Sequence, residues 1–176
     1  MPVFVGAVPG LDLNYLVFAE KVTKAEGLAF PARIRPETPQ FGFRWVTVFE
    51  AGADLSELDA QCLLGIKARL TPVVVRLGAK GAMRSILISN SKYNDHLMDC
   101  WRAMVGTDPT YPCDPEAAAS LAHACAAHGL TPVETSWVES FLDYRLKLSP
   151  GPHAPVRVRG READDAIGRT EPQLAP

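Results

Sequence analysis

The run Phe41-Gly42-Phe43-Arg44-Trp45-Val46-Thr47-Val48-Phe49 constrains this chain more than any other. Alternate residues of a strand share a face, so Phe41, Phe43, Trp45 and Phe49 fall on one side and Val46 and Val48, with Arg44, on the other. Two largely apolar faces describe a central strand covered on both sides. After a break at Gly52, Asp54 with Glu57 three residues on predicts a capped helix, whose stripe is Leu55, Leu58, Cys62 and Ile66. Pro72 is expected to end that helix, with Val73–Leu77, the turn Gly78-Ala79-Lys80-Gly81 and Met83–Ser89 forming a hairpin.

Around this stretch, Val3–Val8 reads as a strand stopped by Pro9-Gly10. Tyr15–Thr23 and Leu28–Arg35, joined by Lys24-Ala25-Glu26-Gly27, read as a hairpin; a helix over Leu13–Lys24 is the rival. Three helices are expected beyond Ser91. One covers Asn94–Val105, with Leu97, Met98, Trp101 and Met104 on one side. A second is capped by Asp114 with Pro115 at its first position and runs to Gly129. The third opens with the capping box Thr131-Pro132-Val133-Glu134 and carries Val133, Trp137, Phe141, Tyr144 and Leu148 at roughly fourfold spacing. The proline-rich stretch from Ser149, with the basic island Val156–Arg161, reads as a flexible tail. The expected organisation is a β-rich domain with one helix over 1–91, a helical segment over 92–148, and the tail over 149–176. The class is α+β.

Charge is the main functional signal. No Asp or Glu occurs from Ala60 to Asn94, yet Lys67, Arg69, Arg76, Lys80, Arg84 and Lys92 all lie there. Tyr15–Asn94 carries eleven Lys/Arg against seven Asp/Glu, and Asp95–Leu148 three against eight, an asymmetry hidden in the net charge of −2. A basic half can mark nucleic-acid binding, and an acidic half a surface that meets another protein. Aromatic faces that stack on bases, with cations that follow phosphates, hold single-stranded nucleic acid. Phe43, Arg44 and Trp45, with Arg76, Lys80 and Arg84 on the expected hairpin, meet that description, and Arg33 and Arg35 lie near in sequence. The plain alternatives are that Phe43 and Trp45 are core and that the basic hairpin is a solvated surface.

Other chemistry finds less support. Cys113, His123, Cys125 and His128 are zinc-ligand types, but no second cysteine pair supplies the other half of a zinc site. Cys62, Cys100, Cys113 and Cys125 read as free thiols. No G-x-S-x-G elbow or phosphate-binding P-loop is present, so neither cofactor nor metal is expected and the activity is read as non-enzymatic. No apolar run approaches the length of a membrane span, and the first residues lack the basic and long apolar regions of a secretory signal, so the cytoplasm is the expected location.

Asn14-Tyr15-Leu16, Glu20-Lys21-Val22-Thr23-Lys24-Ala25-Glu26-Gly27 and Phe30 resemble the opening hairpin of OB-like accessory proteins of integrative and conjugative mobile elements. The resemblance covers the first half of the chain. It implies an OB-like antiparallel β-half and single-stranded DNA binding in DNA maintenance or transfer. A ferredoxin-like antiparallel half is the structural alternative. The functional alternatives are an adaptor subunit docking through its acidic C-terminal helices, with Trp137 or Tyr144 in an exposed apolar patch, and a small enzyme without a recognisable motif. A homo-oligomer is compatible with either binding reading.

Overall fold

Among the described residues a strand pair opens the chain and three further strands follow, each preceded by a helix. The computed structural model describes residues 2–35, 41–79, 83–90 and 92–147. In chain order the elements are β1 (Val3–Ala7), β2 (Asn14–Phe18), α1 (Lys24–Ala29) running into a 3₁₀ turn (Phe30–Arg33), β3 (Arg44–Phe49), α2 (Ala60–Gly78), β4 (Met83–Ser89), α3 (Lys92–Gly106), β5 (Cys113–Ala118), α4 (Leu121–Ala127) and α5 (Pro132–Lys147). The strands form one sheet in sequence order. β1 and β2 pair antiparallel through a turn in which Val8 N–H donates to the Leu13 carbonyl at 2.8 Å and Gly10 takes φ +77. Every later pair is parallel.

The chain is thus mixed α and β, but the antiparallel OB-like or ferredoxin-like half is not what it builds. Parallel neighbours need a crossover connection, and α1, α2 and α3 each supply one. One core lies beneath them, where Leu16, Phe18 and Trp45 meet Leu63, Ile66, Leu70, Val74 and Leu77 of α2 and Val105 of α3. The opposite face buries Tyr15, Val17, Val46, Val48, Ile86 and Ile88 against Ala124 and Cys125 of α4 and Val138, Leu142 and Leu146 of α5. Coverage on both sides is what the two-faced apolar run of β3 requires.

Four expected elements are corrected. The segment read as a hairpin turn, Lys24-Ala25-Glu26-Gly27, is α1 itself. Thr23 Oγ1 accepts from Glu26 N–H at 3.3 Å, and the Glu26 carboxylate accepts from Thr23 N–H at 3.0 Å. Two orphan donors are satisfied at once, which favours the helix over extended chain. Gly27 lets α1 sit close on Leu58, just before α2, and on α2 itself: a Cβ there would meet Leu58 Cδ2 at 2.8 Å and Ile66 Cδ1 at 3.4 Å. α2 starts later than expected, because Asp59 caps it by accepting from Cys62 N–H at 2.8 Å, while Asp54 closes a turn at Ser56.

α2 also runs through Pro72, so Val73–Leu77 is helix rather than strand. Leu70, Val74 and Leu77 extend the stripe of Cys62, Leu63 and Ile66, and burying that stripe against the sheet outweighs the β preference of the valines. The hairpin that would have carried Lys80 is therefore absent, although Met83–Ser89 is a strand as expected. Asp114-Pro115 lies in β5, not at a helix start. β5 is at the sheet edge, where a proline's missing N–H is tolerated, and α4 is capped instead by Ser120, which accepts from His123 N–H at 3.2 Å.

The helices at α3 and α5 agree with the sequence. Thr131 and Glu134 form the expected box, with Thr131 N–H donating to the Glu134 carboxylate at 2.8 Å. Among the described residues three helices do follow residue 91, but β5 between them joins the main sheet, which therefore crosses the expected boundary. The expected tail lies outside the described residues. Among the described residues no helix is long and apolar enough to cross a membrane.

Candidate functional site

The six residues expected to hold nucleic acid do not converge. Trp45 is 3% exposed, lies 5.7 Å from the Phe41 ring in a stacked pair, and donates from Nε1 to the Gly42 carbonyl at 3.0 Å. It is core beneath α2. Phe43 is half-buried, with the Arg44 guanidinium 5.9 Å from its ring centre. Arg44 and Arg84 share strand parity with Val46 and Ile86, so the sheet separates them from Trp45. Arg76 is exposed in the last turn of α2, on the Trp45 side. Lys80 lies outside the described residues.

Arg44 and Arg84 instead grip the end of α4. Arg44 donates to the His128 carbonyl at 3.1 Å and stands 3.7 Å from the Asp12 carboxylate. Arg84 makes a two-pronged pair with Glu116 at 2.7 and 2.8 Å and also donates to the Ala127 carbonyl. Cations at a helix C-terminus satisfy its last carbonyls and complement its dipole. Arg84 holds the Glu116 carboxyl below its ordinary range.

Between the two arginines His128 is buried and its Nε2 donates to the Trp45 carbonyl at 3.0 Å. Burial, then Arg84 and Arg44, push its pKa below the ordinary 6.5, which fixes a neutral ring with an acceptor at Nδ1. That Nδ1 is a buried side-chain atom without a hydrogen-bond partner. Among the described residues no three His, Cys, Asp or Glu side chains gather as metal ligands. None of the four cysteines is in a disulfide, Cys62 and Cys125 are buried, and burial drives the Cys125 thiol up to about 11.

In open parallel sheets, ligands favour the carboxyl ends of the strands. Here that edge presents Glu50, directly after β3. Its carboxyl is half-buried and is pushed above its ordinary range by burial and then by Asp143 of α5.

Two exposed features are better defined. α5 buries Val138, Leu142 and Leu146, yet Val133 is 80%, Trp137 49% and Tyr144 60% exposed. At about 100° per residue these three fall within about 40° of one another, opposite Leu142. Trp137 is held in place by a 3.2 Å hydrogen bond to the Pro9 carbonyl and by the Phe141 ring. The second feature is a cleft of about 470 Å³ between the 3₁₀ turn and α2, lined by Arg35, Arg69 and Arg76 around Pro31, Pro72 and Val73. Arg69 was not among the expected site residues. Its spacing of seven from Arg76, two helical turns, was the available signal once Pro72 is read as interior. Comparison with protein-family models, with curated proteins and with solved structures finds no match.

Proposed function

We propose that this chain is a non-enzymatic docking module that receives an amphipathic helix of a partner protein on the outer face of α5. The observation that carries the reading is the stripe Val133, Trp137 and Tyr144, exposed opposite the side of α5 that packs on the sheet. Their spacing of i, i+4 and i+11 is that of a seam between helices, with Ser140 filling the i+7 place. Aromatic anchors with few rotatable bonds dominate protein interfaces, and Trp137 is already held by Pro9. Asp95–Leu148 is net acidic, so the matching helix carries basic residues beside its apolar stripe.

Photo-cross-linking in the native host tests this, with p-benzoylphenylalanine at Val133, at Tyr144, and at exposed Ala68 of α2 as control. The expected result is one adduct mass shared by the two α5 positions, absent from the control and abolished by Trp137→Glu. An adduct containing only this chain would make the occupant a second copy. Adducts that persist in Trp137→Glu, or equal labelling from Ala68, would overturn the docking face. Single-stranded nucleic-acid binding keeps one supporting observation, the arginine-lined cleft on the far side of the molecule.

A further inference from the structure

We infer that the cleft between the 3₁₀ turn and α2 binds a nucleoside phosphate, with Arg69 and Arg76 taking the phosphate and Pro31, Pro72 and Val73 the base or sugar. This site is independent of α5. Arg69, Pro72, Val73 and Arg76 occupy positions i, i+3, i+4 and i+7 of α2 and so share one helix face, with a cation at each end about 10 Å apart along the axis. The opposite wall comes from Pro31 and Ile34, and Arg35 stands at the rim. The volume, about 470 Å³, is that of small-molecule sites.

Among the described residues no carboxylate neutralises Arg69 or Arg76 in place. Among the described residues no lining residue is acidic. Lys67, two residues earlier on the same helix, is paired with Asp108, whereas Arg69 donates one hydrogen bond, to the Leu28 carbonyl at 2.9 Å, and neither Arg69 nor Arg76 has a carboxylate partner among the described residues. Guanidinium groups present fixed forks of donors that suit phosphate oxygens. Pro72 adds a second indication. A proline inside a helix costs about 3 kcal/mol relative to alanine, and here its ring forms part of the apolar floor between the two arginines. An apolar floor flanked by guanidinium groups suits a ligand with a flat apolar body and an anionic end better than it suits a bare anion.

The nucleoside phosphate can be free or one unit of a single strand. The test is titration of the full chain at low and high salt with AMP by calorimetry and with a labelled twelve-residue thymidine oligonucleotide by anisotropy. Arg76→Gln is the first variant, because Arg76 supports no other described group; Val73→Glu, which puts a carboxylate in the floor, is the second. At least one probe is expected to bind, more weakly at high salt, with each variant losing about tenfold or more while melting with the wild type. Binding of AMP that displaces the oligonucleotide would assign a free nucleotide. Binding of the oligonucleotide alone would assign a nucleic-acid strand. Failure of both probes at low salt, or undiminished binding by both variants, would overturn the site.

Discussion

Trp45→Ala and Trp137→Ala separate the packed aromatic from the presented one. Trp45 is 3% exposed, with its ring on Phe41 and its Nε1 hydrogen on the Gly42 carbonyl. A buried indole removes roughly 200 Å² from water, worth about 5 kcal/mol at 25 cal/mol per Å². That figure is an upper bound because unfolded chains already hide some surface. Large-to-small tryptophan changes cost about 3–5 kcal/mol, so about 4 kcal/mol is expected for Trp45→Ala. Trp137 is 49% exposed, which halves the buried area and caps the loss at about 2 kcal/mol. For a chain of this size 1 kcal/mol moves Tm by about 2–4 °C. Thermal melts followed by circular dichroism should therefore fall by about 8–16 °C for Trp45→Ala and by at most about 8 °C for Trp137→Ala. A Trp45→Ala protein that melts within about 3 °C of wild type and loses oligonucleotide binding would refute the core assignment and restore β3 as a stacking surface.

Three further outcomes follow from the same contacts. The neutral form of His128 is favoured by the fold, so the unfolded chain binds more protons just below pH 6.5; stability is complete above 6.5 and falls as pH drops toward the lowered folded value. A ring titration by NMR should place the His128 midpoint below 6.5, and His128→Gln should flatten that acid-side loss; a midpoint above 6.5 would contradict the buried geometry. Glu50 carries the opposite sign for a carboxyl, raised rather than depressed, so its ionisation weakens the fold as pH climbs from its ordinary 4.5 through the raised value. Glu50→Gln should thus melt higher than wild type at pH 7 and level with it near pH 4, and a lower Tm at pH 7 would show that the carboxylate is compensated. Thr23→Ala removes the α1 cap and should cost about 1 kcal/mol in urea denaturation. No loss there would mean that α1 is held by Gly27 packing alone.

The parts of this fold legible in the sequence are those where local and tertiary preferences agree. The two-faced run of β3 reads correctly because burial on both faces leaves no other pattern. α5 reads correctly because the box at Thr131 and Glu134 satisfies its own donors whatever packs on it. The side of α5 that packs is another matter: Val133, Trp137, Phe141 and Tyr144 make the more conspicuous stripe, yet Val138, Leu142 and Leu146 face the sheet. Periodicity reports that a helix has two apolar sides and is silent on which one finds the core.

The misread segments share one cause, a local signal outweighed by burial or pairing. Val73, Val74 and Val75 favour a strand, and Pro72 favours a stop, but Val74 and Leu77 are 1% and 0% exposed in register with Leu70, and that burial carries α2 across the proline. Asp114-Pro115 has the form of a helix start, but the backbone of Cys113–Ala118 is drawn into pairing with β4 at an edge where Pro115 costs little. Once α2 is lengthened and β5 added, the positive charges of this half separate into two sets. Arg44 and Arg84, on the α4 face, are spent on carbonyls, Asp12 and Glu116, whereas Arg69 and Arg76, outside α2, meet no carboxylate among the described residues. The basic run of the sequence is therefore not one surface. Among the described residues it is a structural clamp on one side of the sheet and an open cleft on the other, and of these two sets it is the cleft arginines that keep donors for a ligand.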